Sequence, residues 1–165
     1  RGVAVLYREK LQLLTETALL AAFITVSGAF KLPGLFPGTE FQLSAPVAVA
    51  VCGVFGIKKY LSAGILSSMV GLMLGTQNVF NVLIAMSFRV VVAIIYYFCG
   101  KNKFFYIFSG PIATFSARIC LSVVVGKAAI PLVLGAAPGM LYTALCAGMI
   151  ATVLEKVLIA KKRFA

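Results

Sequence analysis

Long apolar segments separated by small groups of basic residues are the feature that most constrains how this chain folds. The 165 residues are 62% hydrophobic and 12% charged, whereas charged residues make up about a quarter of an ordinary soluble domain. Six of the apolar segments are long enough, or nearly long enough, to cross a hydrocarbon core as helices. The sequence therefore predicts an all-α integral membrane protein with a compact six-helix bundle, formed as a single transmembrane domain over residues 1–165.

The six predicted spans cover residues 13–30, 41–57, 60–75, 79–98, 104–125 and 138–160. A short amphipathic lead-in is expected before the first span, an ordered loop rich in Pro and Gly over Lys31–Glu40, and an apolar connection over Gly126–Ala137. The second and third spans are short and interrupted by Pro46 and several glycines. Such interruptions favour either unwound backbone at a transporter binding site or simple close packing of small residues.

Basic residues are unequally distributed between the two sides that these spans predict. Only Lys31 and Lys127 fall on one side. Because cytoplasmic loops collect Lys and Arg, both termini are predicted inside a bacterial-type cytoplasmic membrane. Orientation and anionic lipid then account for most of the net charge of +11, and no nucleic-acid partner is expected. Eleven basic residues lie on the predicted inner side: Arg1, Arg8, Lys10, Lys58, Lys59, Lys101, Lys103, Lys156, Lys161, Lys162 and Arg163.

Catalytic and metal-binding constellations are missing from the sequence. It contains neither histidine nor aspartate, and its four glutamates are far apart in sequence and predicted depth. The four cysteines stand singly, without a C-x-x-C pair, so they are interpreted as small packing residues. No phosphate-binding G-x-x-x-x-G-K-[ST] motif occurs. We therefore expect no metal, no cofactor and no enzymatic activity, and any ATP hydrolysis would belong to partner subunits.

Two arginines lie inside predicted spans. Arg89 is near the middle of the fourth span, and Arg118 is in the outer half of the fifth. A charged side chain at the centre of a membrane helix costs at least about 2.5 kcal/mol, so both need compensation. Facing a cavity, two guanidiniums could bind an anionic ligand through bidentate hydrogen bonds. Alternatively, each could bind exposed carbonyl groups, or Arg118 could extend towards the membrane surface.

Further candidate ligand-binding residues flank the outer ends of the second, third, fourth and sixth spans. Neutral donors and acceptors among apolar walls are what orient a small solute in a pocket. The alternative is a solvated turn with an aromatic belt at the membrane interface. The candidates are Glu40, Phe41, Gln42, Gln77, Asn78, Asn81 and Tyr142.

Small residues on the first span indicate a helix-docking face. Ala18 and Ala22 are four residues apart and therefore lie on the same side of a helix. Small residues allow another membrane helix to approach closely. The other helix could belong to a partner protein, or it could be another helix of this chain.

The chain resembles the S component, the substrate-binding membrane subunit, of energy-coupling factor (ECF) transporters for vitamins and other micronutrients. The resemblance covers nearly the whole chain in length, helix number and inside termini. It is carried by Thr17-Ala-Leu-Leu-Ala-Ala22, the Pro- and Gly-rich loop Leu32 to Gly38, Phe41-Gln-Leu-Ser-Ala-Pro46, and the hairpin from Val54 to Gly64.

This resemblance implies a subunit that captures a scarce micronutrient outside the cell and delivers it inward with a transmembrane coupling subunit and two ATPase subunits. Ala18 and Ala22 match the family's alanine motif for docking on the coupling subunit. The absence of Trp and His argues against thiamine, nickel and cobalt as substrates. Arg89 and Arg118 favour a carboxylate-bearing vitamin such as biotin, pantothenate, lipoate or a folate. The alternatives are a stand-alone secondary carrier and a structural or assembly protein without a ligand.

Overall fold

Six helices and one small antiparallel sheet make up the described part of the chain. The computed structural model describes residues 2–32, 41–126 and 129–164. The elements are α1 (Gly2–Ala29), β1 (Lys31–Leu32), β2 (Phe41–Gln42), α2 (Ser44–Phe55), α3 (Ile57–Met73), α4 (Val79–Cys99), α5 (Lys103–Val125) and α6 (Ala129–Phe164).

Four helices in the described ranges are long and apolar enough to cross a membrane. They cover Gly2–Ala29, Val79–Cys99, Lys103–Val125 and Ile130–Ala160. Their large apolar side chains are exposed over much of the helix surfaces, as expected of side chains that face lipid. The fold is therefore consistent with a multi-pass membrane protein. Helix α2, with 12 residues, and α3, with 17, are shorter than the about 20 residues that span a bilayer, so the count of six spans stays a prediction.

Two contacts between α1 and α3 give the direction of these helices relative to each other. The Nζ atom of Lys59 lies 2.5 Å from Oε2 of Glu16, and the Thr25 hydroxyl donates to Oγ of Ser67 over 2.9 Å. Because the partner numbers increase together, α1 and α3 run in the same direction. The end that carries β1 and β2 is called the hairpin end. The opposite end, which carries Lys58, Lys59, Lys101 and Lys103, is called the lysine end.

Helix α2 forms the centre of the bundle and packs against all five other helices. Its residues from Pro46 to Gly53 are all buried, including Val49, Val51 and Cys52. A helix that is apolar around its whole circumference lies either in a protein core or against lipid, and these residues are buried by the protein itself. Helix α2 is therefore a core helix, and Gly56, with a φ of +86°, makes the one-residue joint that leads into α3.

Helix bounds differ from the sequence predictions at three places. Helix α1 is continuous from Gly2, without a separate lead-in, and Phe41–Gln42 form a strand instead of starting a helix. Helix α6 begins at Ala129, nine residues before the predicted start at Pro138. Pro131 is compatible with this because a proline in the first turn has no helical hydrogen bond to lose, and Pro138 is accommodated inside the helix. The first two residues of the predicted loop Lys31–Glu40 form β1, and residues 33–40 and Lys127 lie outside the described residues.

The glycines of α3 do not break the helix, contrary to the expectation of unwound backbone. Helix α3 continues through Gly64 and Gly71, and both positions are covered closely by side chains of other residues. The same use of glycine occurs elsewhere, since Tyr106 lies over Gly53 and Thr143 over Gly110. Small residues thus bring the helices together, which was the alternative interpretation of these glycines.

A substitution at Gly110 should separate α5 from α6. A methyl group there would overlap Cγ2 of the buried Thr143, so Gly110→Ala should destabilise the protein by about 1–3 kcal/mol. The measurement is thermal unfolding in detergent. A thiol-specific dye reports unfolding when it reacts with Cys52, which is buried in the folded protein. Gly148→Ala is the control because its new methyl group would meet only Cβ of Tyr106, at 3.8 Å. Equal unfolding midpoints for the two variants would contradict the packing described.

Candidate functional site

A cavity of about 220 Å³ lies between α1, α2, α4 and α5, and β2 borders it at the hairpin end. Its apolar walls come from all four helices and from Phe41. Its polar and charged groups belong to Lys31, Gln42, Ser44, Asn81, Arg89, Thr114 and Arg118.

Helical periodicity brings these side chains together. On α4, the cavity residues follow one face from Asn81 through Ile84, Ala85 and Phe88 to Arg89. Their spacing of three, four, seven and eight residues from Asn81 is that of a single helix face. On α5, Thr114 and Arg118 are four residues apart and share a face in the same way. Asn81, Arg89, Thr114 and Arg118 are therefore held in the cavity wall by two helices.

Positively charged side chains line the cavity. Lys31, Arg89 and Arg118 contribute to its wall, and no acidic residue lines it within the described ranges. A charge in a largely apolar surrounding is unfavourable unless an opposite charge or hydrogen bonds compensate it. This arrangement favours an anion as the occupant of the cavity.

Arg89 is held against one face of α3. It is only 5% exposed, and its Nη1 donates a hydrogen bond to Oγ of Ser68 over 2.6 Å. The aliphatic part of its side chain crosses Gly64, where a Cβ atom would lie 2.6 Å from both Cδ and Nε of Arg89. Tyr60, Gly64 and Ser68 follow one another at intervals of four residues, and all three are buried. Because Gly64 has no side chain, it leaves the space in which the Arg89 side chain lies.

Arg118 has an unused hydrogen-bond donor. The residue is half-buried, and its Nε is buried without a hydrogen-bond partner in the described part of the chain. A buried donor without a partner costs about 1–3 kcal/mol, or more when it is charged. Because Arg118 lines the same cavity as Arg89, a ligand anion in that cavity is a suitable partner.

The small sheet places polar groups at the mouth of the cavity. Lys31 of β1 pairs in register with Gln42 of β2, so both side chains reach the hairpin end. The Ser44 hydroxyl lies 3.4 Å from Oε1 of Gln42, at the start of α2. The ring of Phe41 packs over Gly139, 5.8 Å from that of Tyr142. Phe41 thus forms an apolar wall beside the polar mouth.

Sequence reasoning named nine candidate ligand-binding residues, and the structure brings five of them together around the cavity: Phe41, Gln42, Asn81, Arg89 and Arg118. Tyr142 lies behind Phe41 and does not line the cavity. Asn78 caps α4, where its Oδ1 accepts from the Asn81 amide over 2.8 Å, and Gln77 packs against Gly71. Glu40 lies outside the described residues.

Lys31 and Thr114 line the cavity and were missed as binding residues. Lys31 was explained by topology alone, although its position beside a polar loop was compatible with a cavity mouth. Thr114 could have been found from its spacing of four residues to Arg118. The contacts of Gly64 and Ser68 with Arg89 join two helices, and no local pattern in the sequence indicates them.

Adjacent serines on α3 allow the support of Arg89 to be tested. Ser68→Ala removes the acceptor of a buried guanidinium and should destabilise the protein by about 1.5–3 kcal/mol, because hydrogen bonds to charged groups are the stronger ones. The control is Ser67→Ala, which removes a neutral bond from Thr25, whose hydroxyl still donates to the Ala21 carbonyl. Thermal unfolding in detergent should rank Ser68→Ala as clearly less stable. If Ser67→Ala were the less stable variant, the role of Ser68 in supporting Arg89 would be contradicted.

One curated protein resembles this chain closely, while no family model and no solved structure matches it. Protein BioX from Lysinibacillus sphaericus is 44% identical over 131 residues, which amount to 79% of this chain and 79% of that protein. Identity at this level over this share of both chains establishes common descent and a common fold. The chain therefore belongs to the same family as Protein BioX.

Proposed function

We propose that this protein is the substrate-binding subunit of an ECF-type importer and that it captures a small carboxylate-bearing micronutrient related to biotin. The single observation that carries the proposal is the cavity with Arg89 and Arg118 in its wall and no acidic residue among its described lining. A carboxylate would accept the unused hydrogen bond of Arg118 and offset the charge of Arg89.

Cavity size narrows the choice of ligand. About 220 Å³ is below the about 300 Å³ at which sites for drug-sized ligands begin. We expect the compact molecules biotin, pantothenate and lipoate to suit a cavity of this size better than a folate. The name of the relative, Protein BioX, supports the choice of a biotin-related ligand for this chain.

Coupling to ATP hydrolysis would require other subunits. The proposed partners are a transmembrane coupling subunit and two ATPase subunits in a bacterial-type cytoplasmic membrane, with both termini of this chain inside. Ala18 and Ala22 are exposed on α1, away from the buried face formed by Leu20, Ala21 and Ile24. Such an exposed small-residue face supports docking on a partner helix.

Removal of the charge of Arg89 should abolish high-affinity binding of the anion. For Arg89→Ala, we expect at least a hundredfold loss of biotin affinity, since loss of one partner of a buried charge pair costs about 3–5 kcal/mol. The measurement is equilibrium binding of radiolabelled biotin to the purified protein, with pantothenate and lipoate as competitors. Arg118→Ala should weaken binding as well, while Lys156→Gln, which changes a charge outside the cavity, should not.

Biotin amide serves as the ligand control because it keeps the ring system and lacks the carboxylate charge. The native protein should bind it much more weakly than biotin, and Arg89→Ala should remove most of that difference. Unchanged affinity for the anion in a folded, membrane-inserted Arg89→Ala variant would refute the assigned role. Native mass spectrometry of gently purified protein would then identify any other small molecule that it carries.

Bulky side chains on the exposed face of α1 should prevent assembly. Ala18→Trp and Ala22→Trp are expected to abolish copurification with the coupling and ATPase subunits while ligand binding to the isolated subunit stays intact. Leu13→Trp is the control, because Leu13 is also exposed but lies about 140° from Ala18 and about 180° from Ala22 around the helix. Full assembly by both tryptophan variants would refute the docking role of this face, whereas uptake by a protein that copurifies with no coupling or ATPase subunit would favour a stand-alone carrier.

A further inference from the structure

A second cavity, outside the candidate ligand site, lies at the lysine end between α3 and α4. Its volume is about 260 Å³, and its walls are formed by apolar and aromatic side chains such as Ile57, Leu61, Val90, Ile94 and Tyr97. It is an open groove, since Val90 and Ile94 are 53% and 50% exposed. None of its lining residues contributes to the first cavity.

The groove lies on the lipid-facing surface of a helix that is long and apolar enough to cross a membrane. Helix α4 supplies most of its wall, and α3 supplies the rest. A hydrocarbon chain is the occupant that the bilayer itself offers to such a surface. Tyr97, at the lysine end of α4, has the amphipathic ring that is enriched at the level of lipid headgroups.

One exposed basic residue, Lys58, lies beside the groove. Lys58 lies on α3 between two groove residues, Ile57 and Leu61, and it is exposed without an ion pair in the described part of the chain. The nearby acids do not neutralise it, because Glu16 contacts Lys59 and Glu155 contacts Lys101. Helix α3 also begins here without a side-chain cap, so its first amide groups add to the positive potential.

We infer that this groove binds an anionic phospholipid, with one acyl chain between α3 and α4 and the headgroup phosphate beside Lys58. The charge beside the groove favours an anionic headgroup over a zwitterionic one. One Lys near an anionic membrane surface contributes about 1 kcal/mol, which corresponds to about fivefold in affinity. The inference does not depend on the ligand of the first cavity.

Native mass spectrometry can test this site with the intact protein in an equimolar mixture of phosphatidylglycerol and phosphatidylcholine that carry the same acyl chains. The native protein should retain phosphatidylglycerol preferentially, and Lys58→Gln should reduce that preference about fivefold. Lys156→Gln is the matched control, because it removes the same charge from α6, outside the groove. Ile94→Trp should fill the groove and remove both lipid adducts.

Three outcomes would overturn the inference. They are equal retention of the two lipids by the native protein, an equal effect of Lys58→Gln and Lys156→Gln, and lipid adducts that persist in Ile94→Trp. A dimer that dissociates in Ile94→Trp would instead identify a second copy of the chain as the occupant and would also contradict the lipid site. Val90→Trp provides an independent groove-filling variant at another exposed position should Ile94→Trp fail to fold.

Discussion

The support of one buried guanidinium is the interaction on which the candidate site depends. Arg89 lies in a bundle whose other buried side chains are nearly all apolar or small. Its charge is held by a hydrogen bond to Ser68, and its side chain has room only because position 64 is a glycine. Without these contacts, a charge at this depth would be unfavourable by several kcal/mol. With them, Arg89 is fixed at the wall of a cavity where an anion can complete its compensation.

Small residues also allow helices to pack closely elsewhere in the bundle. Tyr106 over Gly53 and Thr143 over Gly110 bring α5 close to α2 and α6. The central helix α2 is only 12 residues long, so it occupies the interior without filling it from end to end. At the hairpin end, Ser44, Ala45 and Ala48 of α2 border the cavity. Small side chains at these positions leave the space that larger residues would fill.

The distribution of charge separates two kinds of basic residue. Arg89 and Arg118 face a cavity inside the bundle, where they favour a bound anion. Lys58 lies at the surface of the lysine end, where its position favours an anionic lipid headgroup. Lys31 fits the charge asymmetry that sets topology, and it also lines the cavity mouth. Position in the fold, and not net charge, decides which basic residues bear on a ligand.

Sequence alone determined the helical class, because long apolar segments leave few other structures for the chain. It also identified Arg89 and Arg118, since a charge inside an apolar segment is conspicuous. In addition, it placed Asn81 and Gln42 together near the outer ends of the predicted spans. Only the tertiary structure decided that these side chains share a cavity, whereas Gln77 packs against Gly71 and Asn78 caps α4. The roles of Gly64 and Ser68 could not be predicted, because a contact between α3 and α4 depends on how two helices are rotated against each other. A single sequence fixes the apolar and charged positions along each helix, but that rotation is set by packing across the whole bundle.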